Sequence, residues 1–193
     1  MHQLIQHIEQ YIKLEEFEKN SIYNLVNKSS FKRNETFFTE GKISREIYFV
    51  AKGCVRLYYL NEGNDKTAFF YTEGQFICAG ESFTYSVPAK ENYQAIEDSE
   101  LYILIKDHID RLMEISPRLE VLARIATENE LIVCQNIIAS FVTKSAEERY
   151  LELLEKNGEL FHRVPQQYIA SFLGISPETL SRIKRRVLKK RGS

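Results

Sequence analysis

Glu178, Arg182, Arg185 and Arg186 recur at i, i+4, i+7 and i+8, a spacing that sets one carboxylate and three guanidinium groups on a single helical face. An arginine fork can hold guanine O6 and N7 together, and a glutamate can accept from cytosine N4. Such a face can read base edges in a major groove. The plainer account makes Glu178 a favourable first-turn charge and Arg182 its i, i+4 ion-pair partner. That pair is expected in the free protein and does not exclude base reading.

The charge around this face is lopsided. From Phe161 to Ser193 there are eight Lys or Arg and one acid, Glu178, a local charge of +7, so the first 160 residues carry −8 within a net charge of −1. Seven of those basic residues lie between Arg182 and Arg191. A solvated basic tail is the alternative, but a polyanion is the natural partner of such a cluster.

The stretch YIASFLGISPETLSRIKRR must position the face. Gly174 and Pro177 interrupt it, yet each suits a boundary. Residues Gln166 to Leu173 make about two helical turns with Ile169, Ala170 and Leu173 on one side, and Gly174 fits the left-handed position that ends a helix. Ile175 is the apolar residue for the corner, Ser176 a good N-cap, and Pro177 an acceptable first helical residue. The second helix then turns Leu180, Ile183 and Val187 inward. The pattern is a helix-turn-helix, with Ala170 small enough for close crossing.

The rest of the 193-residue chain divides by pattern. Its hydrophobic fraction of 44% supports a real core, and no run reaches the length of a membrane span. The polar N-terminus does not read as a signal peptide, and the expected location is the cytoplasm. Cys54, Cys78 and Cys134 are odd in number and far apart; buried reduced thiols are expected rather than disulfides or a metal site. Residues from about 4 to 27 read as helical. From about Thr36 to Leu104, runs such as EIYFVA, CVRLYYL and KTAFFY alternate with turn residues, as in an antiparallel barrel or sandwich. A last strand pair is expected around YQAIEDSELYILI, turning at Glu97-Asp98. HIDRLMEIS is a short helix. Ser116-Pro117 is the predicted N-terminus of a helix of about 25 residues, roughly 37 Å long. Its spacing of Leu119, Leu122, Ala126, Val133 and Ser140, interrupted by Asn129 and Asn136, suits either a central core helix or a seam that pairs with a second copy.

A β-rich domain, a long helix and a C-terminal helix-turn-helix together resemble the cyclic-AMP receptor protein/FNR (Crp/Fnr) family of bacterial transcription regulators. TEGKISREIYFVAKGCVRLYYLNEGNDKTAFFYTEGQFI is similar to that family's β-roll, and FLGISPETLSRI to its recognition motif. The resemblance runs from roughly Phe31 to Lys190. It implies an α+β fold with a cyclic-nucleotide-binding-like antiparallel β-roll over 1–116, a long dimerisation helix over 117–142 and a helix-turn-helix domain over 143–193. It also implies double-stranded DNA, a second copy of the chain and RNA polymerase as partners. Glu178 and Arg182 match the family's base-reading positions, while Gln167, Ser176 and Thr179 match phosphate-holding ones; Arg185 and Arg186 join this set from the basic face. Pro177 stands where many members place a third base-reading residue, which alters the target sequence. The sequence stops soon after the recognition helix, so the wing of a winged helix is expected to be truncated.

Cyclic-nucleotide binders of the family follow a Gly-Glu by Arg-Ser about ten residues on. Here Gly80-Glu81 is kept, but the later positions read Glu91-Asn92-Tyr93-Gln94, and no Arg occurs between Arg56 and Arg111. Lys90 lacks the bidentate fork. Loss of one side of a buried charge pair costs about 3–5 kcal/mol, two to three decades or more in affinity. Where the family's long helix supplies hydroxyls, this chain has Ile132-Val133. Gly80, Glu81, Lys90, Asn92, Tyr93, Ile132 and Val133 therefore outline a degenerate effector pocket, either ligand-free or suited to a different, more apolar small molecule. No cofactor or metal is expected: no cysteine precedes Cys54, and the four histidines are scattered outside the β-region. The expected class is a non-enzyme. Gly80-Glu81-Ser82-Phe83 is faintly similar to a nucleophile elbow, but Thr84 replaces the closing glycine and the next residues do not read as a helix. An interaction module that has lost specific DNA binding, or a small β-barrel enzyme, are the alternatives.

Overall fold

The computed structural model describes the backbone of residues 1–191 and side chains through Lys189, so the expected basic side chains of Lys190 and Arg191 lie outside the described residues. The chain divides into two compact units, residues 1–57 with 70–130 and residues 58–69 with 131–193. Helices and antiparallel sheets are both present, an α+β fold.

In the first unit the helical N-terminal region is two helices rather than one run, α1 (His2–Glu9) and α2 (Glu16–Leu25). A capping box starts the second: the Glu15 N–H donates to the Glu18 carboxylate at 2.7 Å and the Glu15 side chain reciprocates. The chain then enters strand β1 (Val26–Phe31), which carried no alternating signal because only Val26 is buried in VNKSSF. Strands β2 (Thr36–Phe38), β3 (Glu46–Lys52), β4 (Val55–Asn61), β5 (Asn64–Tyr71), β6 (Phe76–Ile77), β7 (Asn92–Ala95) and β8 (Ser99–Ile105) follow.

These form two four-stranded sheets, ordered β1-β8-β3-β6 and β2-β7-β4-β5. β8 is central to the first, with Leu104 opposite Val26 on one side and Ile47 on the other. The expected β7–β8 hairpin does not form, since the two strands belong to different sheets. Between them the Ile96 N–H donates to the Cys54 carbonyl at 2.7 Å, so the segment crosses from one sheet to the other instead of folding back. Gly53 permits this close approach: a Cβ there would lie 2.2 Å from Ser99 Oγ, and its φ is +106°.

Leu4, Ile5, Ile8, Ile22, Phe49 and Tyr102 anchor the core between the N-terminal helices and the first sheet. A short helix α3 (Gly80–Tyr85) and then α4 (Lys106–Ile115) complete this unit's helices before a 3-10 turn at Pro117–Leu119. Ser116 was expected to cap the long helix. Its hydroxyl instead donates to Glu18, and Pro117 opens the 3-10 turn that delays α5 (Glu120–Thr143).

None of the 24 residues of α5 is buried. The second unit holds α6 (Ala146–Lys156), α7 (Leu160–Arg163), α8 (Gln166–Phe172) and α9 (Pro177–Arg191) around Tyr150, Leu153, Leu160, Ile169, Leu173 and Leu180. Ser145 and Glu148 form the capping box that starts α6. In the same unit the Thr67 N–H donates to Ser171 Oγ of α8 at 2.9 Å.

Candidate nucleic-acid interface and effector site

The turn between α8 and α9 is built by local chemistry. Gly174 has φ +68°, its N–H donates to the Ser171 carbonyl, and the Ile175 N–H reaches back to the Ala170 carbonyl, each at 3.0 Å. These two bonds satisfy carbonyls that α8 would otherwise leave open. A Cβ at Gly174 would stand 2.9 Å from the Phe141 ring edge. Gly174→Ala is therefore expected to destabilise the second unit by about 1–3 kcal/mol, measured as an earlier urea transition; an unchanged midpoint would mean that the turn relaxes freely.

Ser176 Oγ accepts from the Thr179 N–H at 3.2 Å and caps α9. Leu180, Ile183 and Val187 are buried, while Glu178, Arg182, Arg185 and Arg186 are exposed on the opposite face, as is Gln167 on α8. The expected Glu178–Arg182 ion pair is absent among the described residues. Arg182 Nη2 donates to Thr179 Oγ1 at 2.9 Å, a partner one turn away that competes for the guanidinium. The neighbouring Ser176 hydroxyl, Glu178's own N–H and the nearby Arg182 charge hold the Glu178 carboxyl below its usual range. Glu178 is thus an ionised acceptor at neutral pH.

The arginines differ in what holds them. Arg185 Nε makes only a long 3.5 Å contact to the Ser181 carbonyl, whereas Arg186 Nη1 pairs with Glu147 Oε2 at 2.7 Å. Thr179, Arg182 and Arg186 face Ser145, Glu147 and neighbouring residues across a groove of about 580 Å³. Glu147 was not foreseen from the sequence. The signal was present, since Ser145-x-x-Glu148 is a capping-box pattern that places the start of α6.

The expected effector residues are scattered in role. Lys90 Nζ is neutralised by Glu81 Oε2 at 2.7 Å, and both side chains are more than half exposed. Asn92 is buried and its Oδ1 accepts from the Glu40 N–H at 3.0 Å. Tyr93 is fully buried among Phe37, Phe38 and Tyr71. Gly80 is exposed at the start of α3. Ile132 and Val133 lie on α5 in the second unit, with 53% and 38% of their surface exposed.

Nearby chemistry in the first unit was missed. Tyr71 OH donates to Glu130 Oε1 at 3.0 Å, and burial raises the Glu130 carboxyl above its ordinary range. Burial, then the Glu130 and Glu91 carboxylates, push the Cys78 thiol up to about 12, so it is unreactive at neutral pH. The expectation of three buried thiols holds for Cys54 only; Cys78 is half-buried and Cys134 is exposed because α5 leaves its flank open.

The run after Gly80 is helical after all, contrary to the sequence reading. A Cβ-free Gly80 and the Ala79 carbonyl accepting from the Phe83 N–H let a single six-residue helix form without a periodic apolar pattern. Ser82 nonetheless spends its hydroxyl on structure, donating to the Val87 carbonyl and accepting from the Ser44 N–H. Among the described residues, no metal-binding group of three or more His, Cys, Asp or Glu occurs and no helix is long and apolar enough to cross a membrane.

Residues 28–116 match the family model described as the cyclic nucleotide-binding domain. The chain is similar to FixK2 from Bradyrhizobium japonicum, with a TM-score of 0.73 and 21% identity over 86% of this chain and 85% of that one. It is similar to the c-di-GMP responsive global regulator CLP of Xanthomonas campestris, at a TM-score of 0.73 and 16% identity over 91% and 93%. A Crp/Fnr-family transcriptional regulator from Eubacterium rectale gives 0.71 and 17% over 92% and 85%. No curated protein sequence gives a significant match. The chain thus carries a match to the cyclic nucleotide-binding domain over residues 28–116 and has the fold of the Crp/Fnr regulators.

Proposed function

We propose that this chain is a DNA-binding transcription regulator that acts as a homodimer on a near-palindromic site. The observation that carries the reading is α9 itself: a capped helix whose apolar face is buried and whose opposite face offers Glu178, Arg182 and Arg185 to solvent. Arg182 and Glu178 take base edges, while Gln167, Ser176, Thr179 and Arg186 serve the backbone phosphates. The sensor is residues 1–116, the dimer helix 117–142 and the DNA-binding part 143–193. RNA polymerase is the partner through which a bound regulator acts.

The dimer reading is supported by α5. Leu131, Ile132, Ile138 and Val142 are 53–79% exposed on a helix none of whose residues is fully buried, a patch that a second copy would cover. Two paired helices would hold two α9 helices about 34 Å apart, one per major-groove turn. Selection of bound sequences from a random DNA pool, with the purified protein and no added ligand, is expected to enrich an inverted repeat. General salt-sensitive binding without enrichment would defeat the specific reading and favour a module that has lost sequence preference.

The effector of this regulator is not cyclic AMP. Lys90, the cation that follows the Gly80-Glu81 step in sequence, is already committed to Glu81, Lys106 donates to the Phe83 carbonyl, and the interior position of Tyr93 fills space with aromatic side chains. Calorimetric titration with cyclic AMP is expected to give no saturable heat; binding at micromolar strength or tighter would overturn this.

A further inference from the structure

One guanidinium joins three elements of the second unit. Arg149, in the first turns of α6, donates from Nη1 to the Lys144 carbonyl at 2.8 Å and from Nη2 to the Leu173 carbonyl at 2.9 Å. The first acceptor follows the end of α5, and the second is the last residue before Gly174 in the helix-turn-helix corner. The same guanidinium sits 4.5 Å over the ring of Phe141, in the last turn of α5. That ring in turn abuts Gly174, filling the place a Cβ would need.

Helix C-termini leave carbonyls without intrahelical partners and carry partial negative charge. A planar cation with fixed charge and a forked donor set can serve two such ends at once in a fixed geometry, which a lysine's freely rotating ammonium does not impose. The arrangement also costs something: Arg149 Nε is buried and makes no hydrogen bond among the described residues. A surface arginine would swing out to avoid that. This one is held by two carbonyls and a ring.

We infer that Arg149 is a positioning residue that locks the helix-turn-helix corner onto the end of α5 and thereby sets the spacing between half-sites that the dimer accepts. The spacing claim rests on the dimeric DNA-binding reading above; the lock itself does not. α9 is fixed to the corner through Leu173 and Leu180, both buried, so the direction of α9 relative to α5 follows the corner. Without the lock, each recognition helix keeps its own face and its own half-site, but the distance between the two is no longer defined.

Arg149→Met keeps the aliphatic stem and the contact with Phe141 while removing both carbonyl bonds, and Arg149→Lys keeps the charge without the fork. Two measurements separate the claims. Residual dipolar couplings of α5 residues 131–143 and of α9 are expected to fit one alignment tensor in the wild type and to need two in both variants. DNA selection is expected to return the wild-type half-site with spacers broadened by one or two base pairs, and affinity for the wild-type spacing about tenfold weaker with isolated half-site binding unchanged. Couplings that still fit one tensor in Arg149→Met would overturn the lock whatever the DNA result. Separate tensors with an unchanged spacer optimum would overturn the spacing claim. Parallel loss of half-site binding and helical couplings would show Arg149 to be a folding residue only. A wild type that selects no inverted repeat would sink the DNA reading and, with it, the spacing claim, leaving the lock to be judged by the couplings.

Discussion

Glu18→Gln is expected to lower the stability of the first unit by about 2–3 kcal/mol and to remove an acid-sensitive step from its unfolding. Glu18 is 1% exposed. Its carboxylate receives Arg118 through Nε at 2.8 Å and through Nη2, the Ser116 hydroxyl, and the Glu15 N–H at 2.7 Å. Arg118 also donates to the Lys13 carbonyl at 2.9 Å. The cluster ties the start of α2 to the 3-10 turn that precedes α5.

The Arg118 bonds foremost, then Ser116 and the Glu15 N–H, hold the Glu18 carboxyl down to about 2 from an ordinary 4.5, with burial opposing them. A depressed folded pKa means that the unfolded chain takes up the proton first on acidification. The stabilisation is therefore complete above about pH 4.5 and is lost as pH falls toward 2. Removing one member of a buried pair costs about 3–5 kcal/mol, and the exposure of the Arg118 side chain to water, at 45%, puts the effect below that range. Urea unfolding followed at pH 7 and pH 3 is the check. The wild type should lose more stability than Glu18→Gln between the two, and a double cycle with Arg118→Met isolates the pair. Equal pH dependence in wild type and variant would show that the cluster contributes no linkage.

What was legible in the sequence was mostly what is local. The strands EIYFVA, CVRLYYL and KTAFFY stood out because aromatic and β-branched residues cluster between turns, and β3, β4 and β5 fall on them. The helix-turn-helix was legible because Gly174, Ser176 and Pro177 each act within four residues of themselves. Strand β1 was hidden because its register against β8 depends on residues 68 to 78 positions away. The Ile96 crossing between sheets was hidden for the same reason, since the bond that fixes it runs to Cys54.

Site chemistry follows the same division. Glu178 and Arg182 share a face by periodicity alone, so their placement needed no tertiary information. The Tyr71–Glu130, Arg186–Glu147 and Arg149–Leu173 contacts join residues 59, 39 and 24 positions apart, and no spacing rule reaches them. Even the expected Glu178–Arg182 pair, local as it was, gave way to Thr179, because one helical turn offers a guanidinium more than one acceptor.

Arg182→Ala is expected to weaken binding to the selected inverted repeat by about 1–3 kcal/mol per half-site contact, with little loss on random DNA. The structure separates this arginine from its neighbour on physical grounds. Arg186 is paired with Glu147, a side chain only 20% exposed, so its charge is already partly neutralised and its direction is set by α6. Arg182 is held only by the Thr179 hydroxyl, a neutral partner that a guanine edge can replace without uncovering a buried charge. Its loss should therefore relax sequence preference at one position and leave the salt dependence nearly unchanged, because phosphate neutralisation sets that slope. Arg186→Ala should act the other way, weakening all DNA alike. Competition binding on the selected site and on single-position variants distinguishes the two. If Arg182→Ala weakened every sequence equally, Arg182 would be a phosphate contact, and base reading by α9 would have to rest on Glu178 and Arg185.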